Sequence, residues 1–90
     1  MAQHRNADHI IVAVHITNRV KQATVVQSLL SEYGGSIKTR VGLHEPKPRG
    51  VSPNGVILLE LVGSQRRAGI LIAALNAVRG VEAKSIVFEH

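Results

Sequence analysis

His9-Ile10-Ile11-Val12-Ala13-Val14-His15-Ile16-Thr17, continued by Asn18-Arg19-Val20, is the stretch on which the fold turns. Large aliphatics stand at Ile10, Val12, Val14 and Ile16, and His9, Ile11, Ala13, His15 and Thr17 alternate with them. A period of two with unlike parities is what a strand needs when one of its faces enters a core. Asn18 is a helix-capping residue type, and Val20, Val26, Leu29, Leu30 and Tyr33 then recur on one helical stripe until Gly34 and Gly35 offer a left-handed stop. The stretch predicts a strand over 9–17 feeding a helix over 19–33.

Downstream the same logic repeats. Residues 36–44 alternate, with Ile37, Thr39, Val41 and Leu43 expected toward the core and Lys38, Arg40, Gly42 and His44 away from it. Residues 45–54 carry Pro46, Pro48, Gly50 and Pro53, which remove donors and fix backbone angles, so an exposed hairpin loop is expected there. In residues 55–63 the lone charge Glu60 must avoid a covered face, which sends Ile57, Leu59 and Leu61 inward. Ser64 is a natural cap for a second helix with the stripe Ala68, Leu71, Ile72, Leu75 and Val78, ended by Gly80. A fourth strand over 81–89 follows, with Val81, Ala83, Ser85 and Val87 inward and Ile86 and Phe88 on the other face. Two split crossovers of this kind predict an α+β, ferredoxin-like βαββαβ domain over 9–90: a four-stranded antiparallel sheet, order 4-1-3-2, with both helices on one face. Residues 1–8 are expected to be an extended or disordered tail.

The opposite sheet face then has no cover. It would present Ile11, Ala13, Val56, Leu58, Val62, Ile86 and Phe88, and a contiguous apolar face of that size marks an interface. A chain of 90 residues buries only about 60–65% of its unfolded surface, so subunit contacts are an expected part of its stability. The predicted partner is therefore itself, as a homodimer or homotetramer.

Composition narrows the function classes. With one Tyr, one Phe and no Trp, the core must be aliphatic. The absence of Cys excludes disulfides and thiolate metal sites. Apolar runs are too short to span a bilayer, and residues 1–8 lack a secretory apolar segment, so the cytoplasm is the expected location. The net charge of +5 raises nucleic acid as a partner, but the cations are scattered and aromatics for base stacking are nearly lacking.

Leu30-Ser31-Glu32-Tyr33-Gly34, Ile37-Lys38-Thr39-Arg40-Val41-Gly42-Leu43-His44 and Ser52-Pro53-Asn54-Gly55 resemble the signature of the iron-only hydrogenase system regulator family, and the likeness runs from about Ile10 to the end. The resemblance implies a small free-standing domain of ACT-like fold, related in shape to the C-terminal domain of the nickel-responsive regulator, that acts as an oligomeric regulator. It brings no catalytic residues. Amino-acid-binding ACT domains often place an Asp and a Gly at the first strand-to-helix turn, where this chain has Thr17-Asn18-Arg19-Val20. The related nickel sensors use a His- and Cys-containing set that this Cys-free chain does not reproduce.

Candidate sites follow. Asn18 and Arg19 sit where a helix N-terminus favours an anion, and Lys47 and Arg49 emerge from the same end of the sheet, so a carboxylate or phosphate effector is the ligand they suit. His15 and His44 are the candidate ligands for a divalent transition metal. With strand three between them their backbones lie roughly 9–10 Å apart, so only facing subunits would complete such a site. Glu60, beside Lys38 and Arg40, reads as a cross-strand charge pair. The expected function is a small oligomeric regulatory domain, not an enzyme, that binds an effector or a protein partner at a subunit interface. A metal-responsive domain is the alternative, and a nucleic-acid binder ranks third.

Overall fold

The structure is a computed structural model, and it describes residues 9–17, 19–43 and 55–89. Strand β1 (His9–Ile16), helix α1 (Arg19–Glu32), strands β2 (Ile37–Leu43) and β3 (Gly55–Leu61), helix α2 (Gln65–Asn76) and strand β4 (Val81–Phe88) succeed one another. The sheet is four-stranded and antiparallel in the order β2-β3-β1-β4, which is the predicted topology. The expected loop over 45–54 and tail over 1–8 lie outside the described residues.

The central strands behave as their alternation requires. Ile10, Val12, Val14 and Ile16 are buried, and opposite three of them stand Leu61, Leu59 and Ile57 of β3, of which the first two are buried and the last packs against the core. On the helices, Val26 and Leu30 of α1 and Ala68, Leu71 and Leu75 of α2 close this layer, with Leu29, Tyr33, Ile72 and Val78 at its margin. The side chain of Val20, predicted on the same stripe, is outside the description. The core is aliphatic throughout; Ser36 is the one buried polar residue among those described. Each full aliphatic burial contributes about 1.5–3 kcal/mol, which is how so small a layer offsets chain entropy.

Helix α2 begins as predicted: the Arg67 N–H donates to Ser64 Oγ at 3.1 Å. It ends four residues before the expected glycine, at Asn76, with Ala77 as C-cap. The Asn76 side chain explains the early stop. Its Nδ2 donates to the Ala83 carbonyl at 3.2 Å, and its Oδ1 accepts from the Ala83 N–H at 2.7 Å, so the amide imitates a neighbouring strand and ties the helix end to β4. Gly80 serves the turn instead. At φ +82° its backbone is left-handed, and the Thr17 N–H donates to its carbonyl at 2.7 Å. A Cβ there would lie 3.2 Å from the Thr17 oxygen. Gly80→Ala is therefore expected to cost about 1–2 kcal/mol and lower the melting temperature by roughly 5–10 °C, read by thermal circular dichroism.

After α1 the predicted left-handed glycines are also corrected. Gly34, Gly35 and Ser36 form a short 3-10 turn, and the positive-φ glycines among the described residues are Gly63 and Gly80. The turn is closed by the Ser36 N–H donating to the Tyr33 carbonyl, while the Ser36 carbonyl accepts from the Val62 N–H at 2.8 Å. Chain entry into β2 is thereby pinned to the end of β3.

Candidate functional site

The sheet face turned away from the helices is built row by row from the register. Opposed residues of an antiparallel pair share a face. Val56 stands opposite His15, and His15 opposite Glu82. Leu58 stands opposite Ala13, and Ala13 opposite Lys84; Glu60 opposite Ile11, and Ile11 opposite Ile86. His9 and Phe88 close the last row. Of the predicted interface residues, Ile11, Ala13, Val56 and Leu58 are half-buried at the middle, and Val62, Ile86 and Phe88 are exposed at the margin.

Strand β2 departs from expectation, and the departure enlarges this face. Ile37 pairs with Leu61, but Thr39 pairs with Glu60, so Lys38 is an extra residue in a bulge. Beyond it the phase of the strand is switched. Thr39 and Val41 align with Glu60 and Leu58 on the uncovered face, while Arg40 and Gly42 align with Leu59 and Ile57 on the helix side, and the Leu43 backbone continues the same register opposite Val56. An independent contact agrees: the Arg40 guanidinium donates to Gln27 Oε1 of α1 at 2.9 Å. The expected inward placement of Thr39 and Val41 is thus reversed, the register at Leu43 runs in the same reversed phase, and Arg40 is bonded to Gln27 instead of Glu60. Val41 joins Val56, Leu58 and Ala13 in one apolar field across β2, β3 and β1.

Glu60 is the carboxylate within that field. Its oxygens take a hydrogen bond from Thr39 Oγ1 at 3.3 Å and an ion pair with Lys38 Nζ at 4.0 Å. The charge is therefore drawn toward the β2 margin and answered there. Lys84 and Glu82, 3.6 Å apart and both well exposed, answer each other along β4. Such exposed pairs are worth about 0–1 kcal/mol each; they set polarity at the rim and leave the middle apolar.

The remaining candidates are only partly placed. Ile16 lies opposite Gly55, so α1 starts from the sheet end at which β2 stops and β3 begins. Arg19 opens α1 there, with its side chain outside the description, while Asn18, Lys47, Arg49 and His44 lie outside the described residues altogether. His15 is exposed on the uncovered face as predicted. The parity on which the placement of His44 rested does not hold for residues 39–43. Among the described residues no group of three or more His, Asp or Glu side chains is gathered to hold a metal ion. The exposed stripe Thr24, Gln27, Ser28, Ser31 and Glu32 lines a shallow depression on the outer surface of α1. It is hydroxyl- and amide-rich and was not singled out by the sequence, because helical spacing of small polar residues reads as ordinary solvated surface. No helix among the described residues is long and apolar enough to cross a membrane.

No protein-family model matches the chain, and no curated protein matches it. Solved structures do. An uncharacterized protein from Thermotoga maritima, TM1266, is 24% identical with a TM-score of 0.75, covering 93% of this chain and 98% of its own. The C-terminal domain of the MgtC protein from Mycobacterium tuberculosis is 14% identical with a TM-score of 0.68, covering 99% and 96%. The apo form of CPII, a nitrogen regulatory PII-like protein from Thiomonas intermedia K12, is 10% identical with a TM-score of 0.52, covering 92% and 94%. A further structure of CPII is bound to ADP, AMP and bicarbonate, at 12% identity and a TM-score of 0.50. At these identities what is shared is the small α+β fold, over nearly the full length of each partner.

Proposed function

We propose that this chain is a small regulatory domain that assembles with copies of itself through the uncovered sheet face and binds an effector or protein partner at the resulting subunit interface. The observation that carries the reading is the apolar field of Ile11, Ala13, Val41, Val56 and Leu58, extended by Ile86 and Phe88, with the Glu60 carboxylate already paired at its margin. A face so composed is favoured against another apolar face. The anion-suited set Asn18, Arg19, Lys47 and Arg49 is the effector site in this reading. A neighbour of the same fold that is nitrogen regulatory and binds ADP, AMP and bicarbonate supports a regulatory role of this type. The pathway, the iron-only hydrogenase system, rests on the motif resemblance alone, and the role is one of binding, not catalysis.

The chain contains no Cys, so one introduced thiol is a clean reporter. Ala13→Cys, in the middle of the face, is expected to give dimers with a short bismaleimide, whereas Ser28→Cys on the exposed side of α1 is not. Equal crosslinking of both variants, or none at Ala13→Cys, contradicts the reading.

A further inference from the structure

The sheet has two edges, β2 and β4, and they are defended unequally. An edge strand offers unpaired N–H and C=O groups to any passing strand, and proteins blunt it with bulges, charges, prolines or covering groups. On β2 the defence is the bulge at Lys38 with the charges of Lys38 and Arg40. On the first half of β4 it is Asn76, which occupies both outward backbone groups of Ala83, with Glu82 and Lys84 alongside.

Residues 85–88 have none of these devices. Because Ala83 points its N–H and C=O away from β1, the alternation of an antiparallel pair points those of Ser85 and Val87 the same way. Among the described residues these groups have no partner outside the sheet. The flanking side chains are apolar on both faces: Ile86 is 60% and Phe88 57% exposed on the uncovered face, and Val87 is 36% exposed on the helix side. Ser-Ile-Val-Phe joins high strand propensity to zero charge.

We propose that residues 85–89 pair antiparallel with the same segment of a second copy, joining two four-stranded sheets edge to edge. The occupant is argued from complementarity. A strand laid here must be apolar on both faces over three consecutive residues, and residues 86–88 themselves meet that demand. With Val87 on a two-fold axis, Ile86 stands opposite the partner's Phe88 and Phe88 opposite the partner's Ile86, an aliphatic–aromatic cross-strand match. The same register sets the two Val87 backbones to exchange N–H···O bonds, and sets Ser85 against the partner's Glu89. The contact is isologous and uses the edge completely, so it closes at two copies instead of running on as a fibre. It is a surface separate from the middle of the uncovered face and does not depend on that face being an interface.

The test combines a variant with amide exchange. Val87→Pro removes an N–H that points away from β1, so the intrachain ladder is kept while the edge is blocked. It is expected to raise the dissociation constant of the edge contact at least about tenfold, read by sedimentation equilibrium, with far-UV dichroism of the diluted protein unchanged. In the unmodified chain, exchange of the Val87 amide is expected to slow at least about tenfold between dilute and concentrated solution. If Val87→Pro does not fold, Val87→Lys and the unmodified chain's exchange decide. Association unaltered by Val87→Pro but abolished by Leu58→Asp overturns the edge contact and leaves the face contact standing. Val87 protection that does not change with concentration overturns it too.

Discussion

Leu58→Asp is expected to abolish assembly through the uncovered face while the chain remains folded. Leu58 lies on β3 between Val41 and Ala13, facing away from the helices, and is half-buried within its own chain. In a single chain an aspartate there reaches water. Against a second copy it becomes a buried carboxylate, and the nearby cation Lys38 is already committed to Glu60. An unpaired buried charge costs several kcal/mol, and 4 kcal/mol would be about a thousandfold in the dissociation constant. Where the edge contact also operates, the variant falls to the species that contact alone supports. Sedimentation equilibrium with a parallel thermal melt separates loss of assembly from loss of fold: the mass is expected to fall while the cooperative melt persists. An unchanged mass contradicts the account.

The second large effect is in the core. Leu75 on α2 is fully buried among the side chains of the sheet and of α1, and is part of the single aliphatic cluster. Leu75→Ala removes its contacts and leaves a cavity, at a cost of about 2–5 kcal/mol. Domains of this size have a total stability of about 5–15 kcal/mol, so the loss is a large fraction of the whole. The melting temperature is expected to fall by roughly 10–30 °C. Val25→Ala, on a residue 45% exposed on α1, is expected to stay within about 0.5 kcal/mol of the unmodified chain. Similar shifts for the two variants would contradict the placement of the core.

These results depend on features of unequal legibility. β1 and β3 were readable because they are central: one face is fully covered, so the wrong parity would have buried His9, His15 or Glu60. The α2 stripe and the Ser64 cap were readable because spacing and side-chain chemistry agree. β2 was not. Its residues alternate cleanly in either phase, and the bulge at Lys38 swaps the phase without breaking the pattern. At an edge strand the helix side is itself wet enough for Arg40 to reach Gln27, so burial imposes no veto. On β4 the parity was right but the depth was not. Val81 and Ala83 are buried, whereas Ser85 and Val87, expected inward on the same parity, are exposed beyond the reach of α2. The role of Asn76 was invisible because an asparagine near a helix end ordinarily reads as a stop signal, not as a clamp on a strand residue seven positions later.

The candidate site divides the same way. The apolar face followed from strand alternation, and it gained Val41 only once the register was known. The anion set and the histidine pair drew on Lys47 and Arg49 within the proline-rich segment and on His44 beside it, where periodicity carries no positional information. Of these, the structure places His15 on the uncovered face and the start of α1, at Arg19, at the expected end of the sheet.

The central claim is that the uncovered face joins copies of the chain, and sedimentation equilibrium of the unmodified protein beside Leu58→Asp across the micromolar range tests it most directly. The account predicts a mass above that of one chain for the unmodified protein and a smaller one for the variant. A single-chain mass for the unmodified protein throughout that range, or the same multiple-chain mass for both, would contradict it.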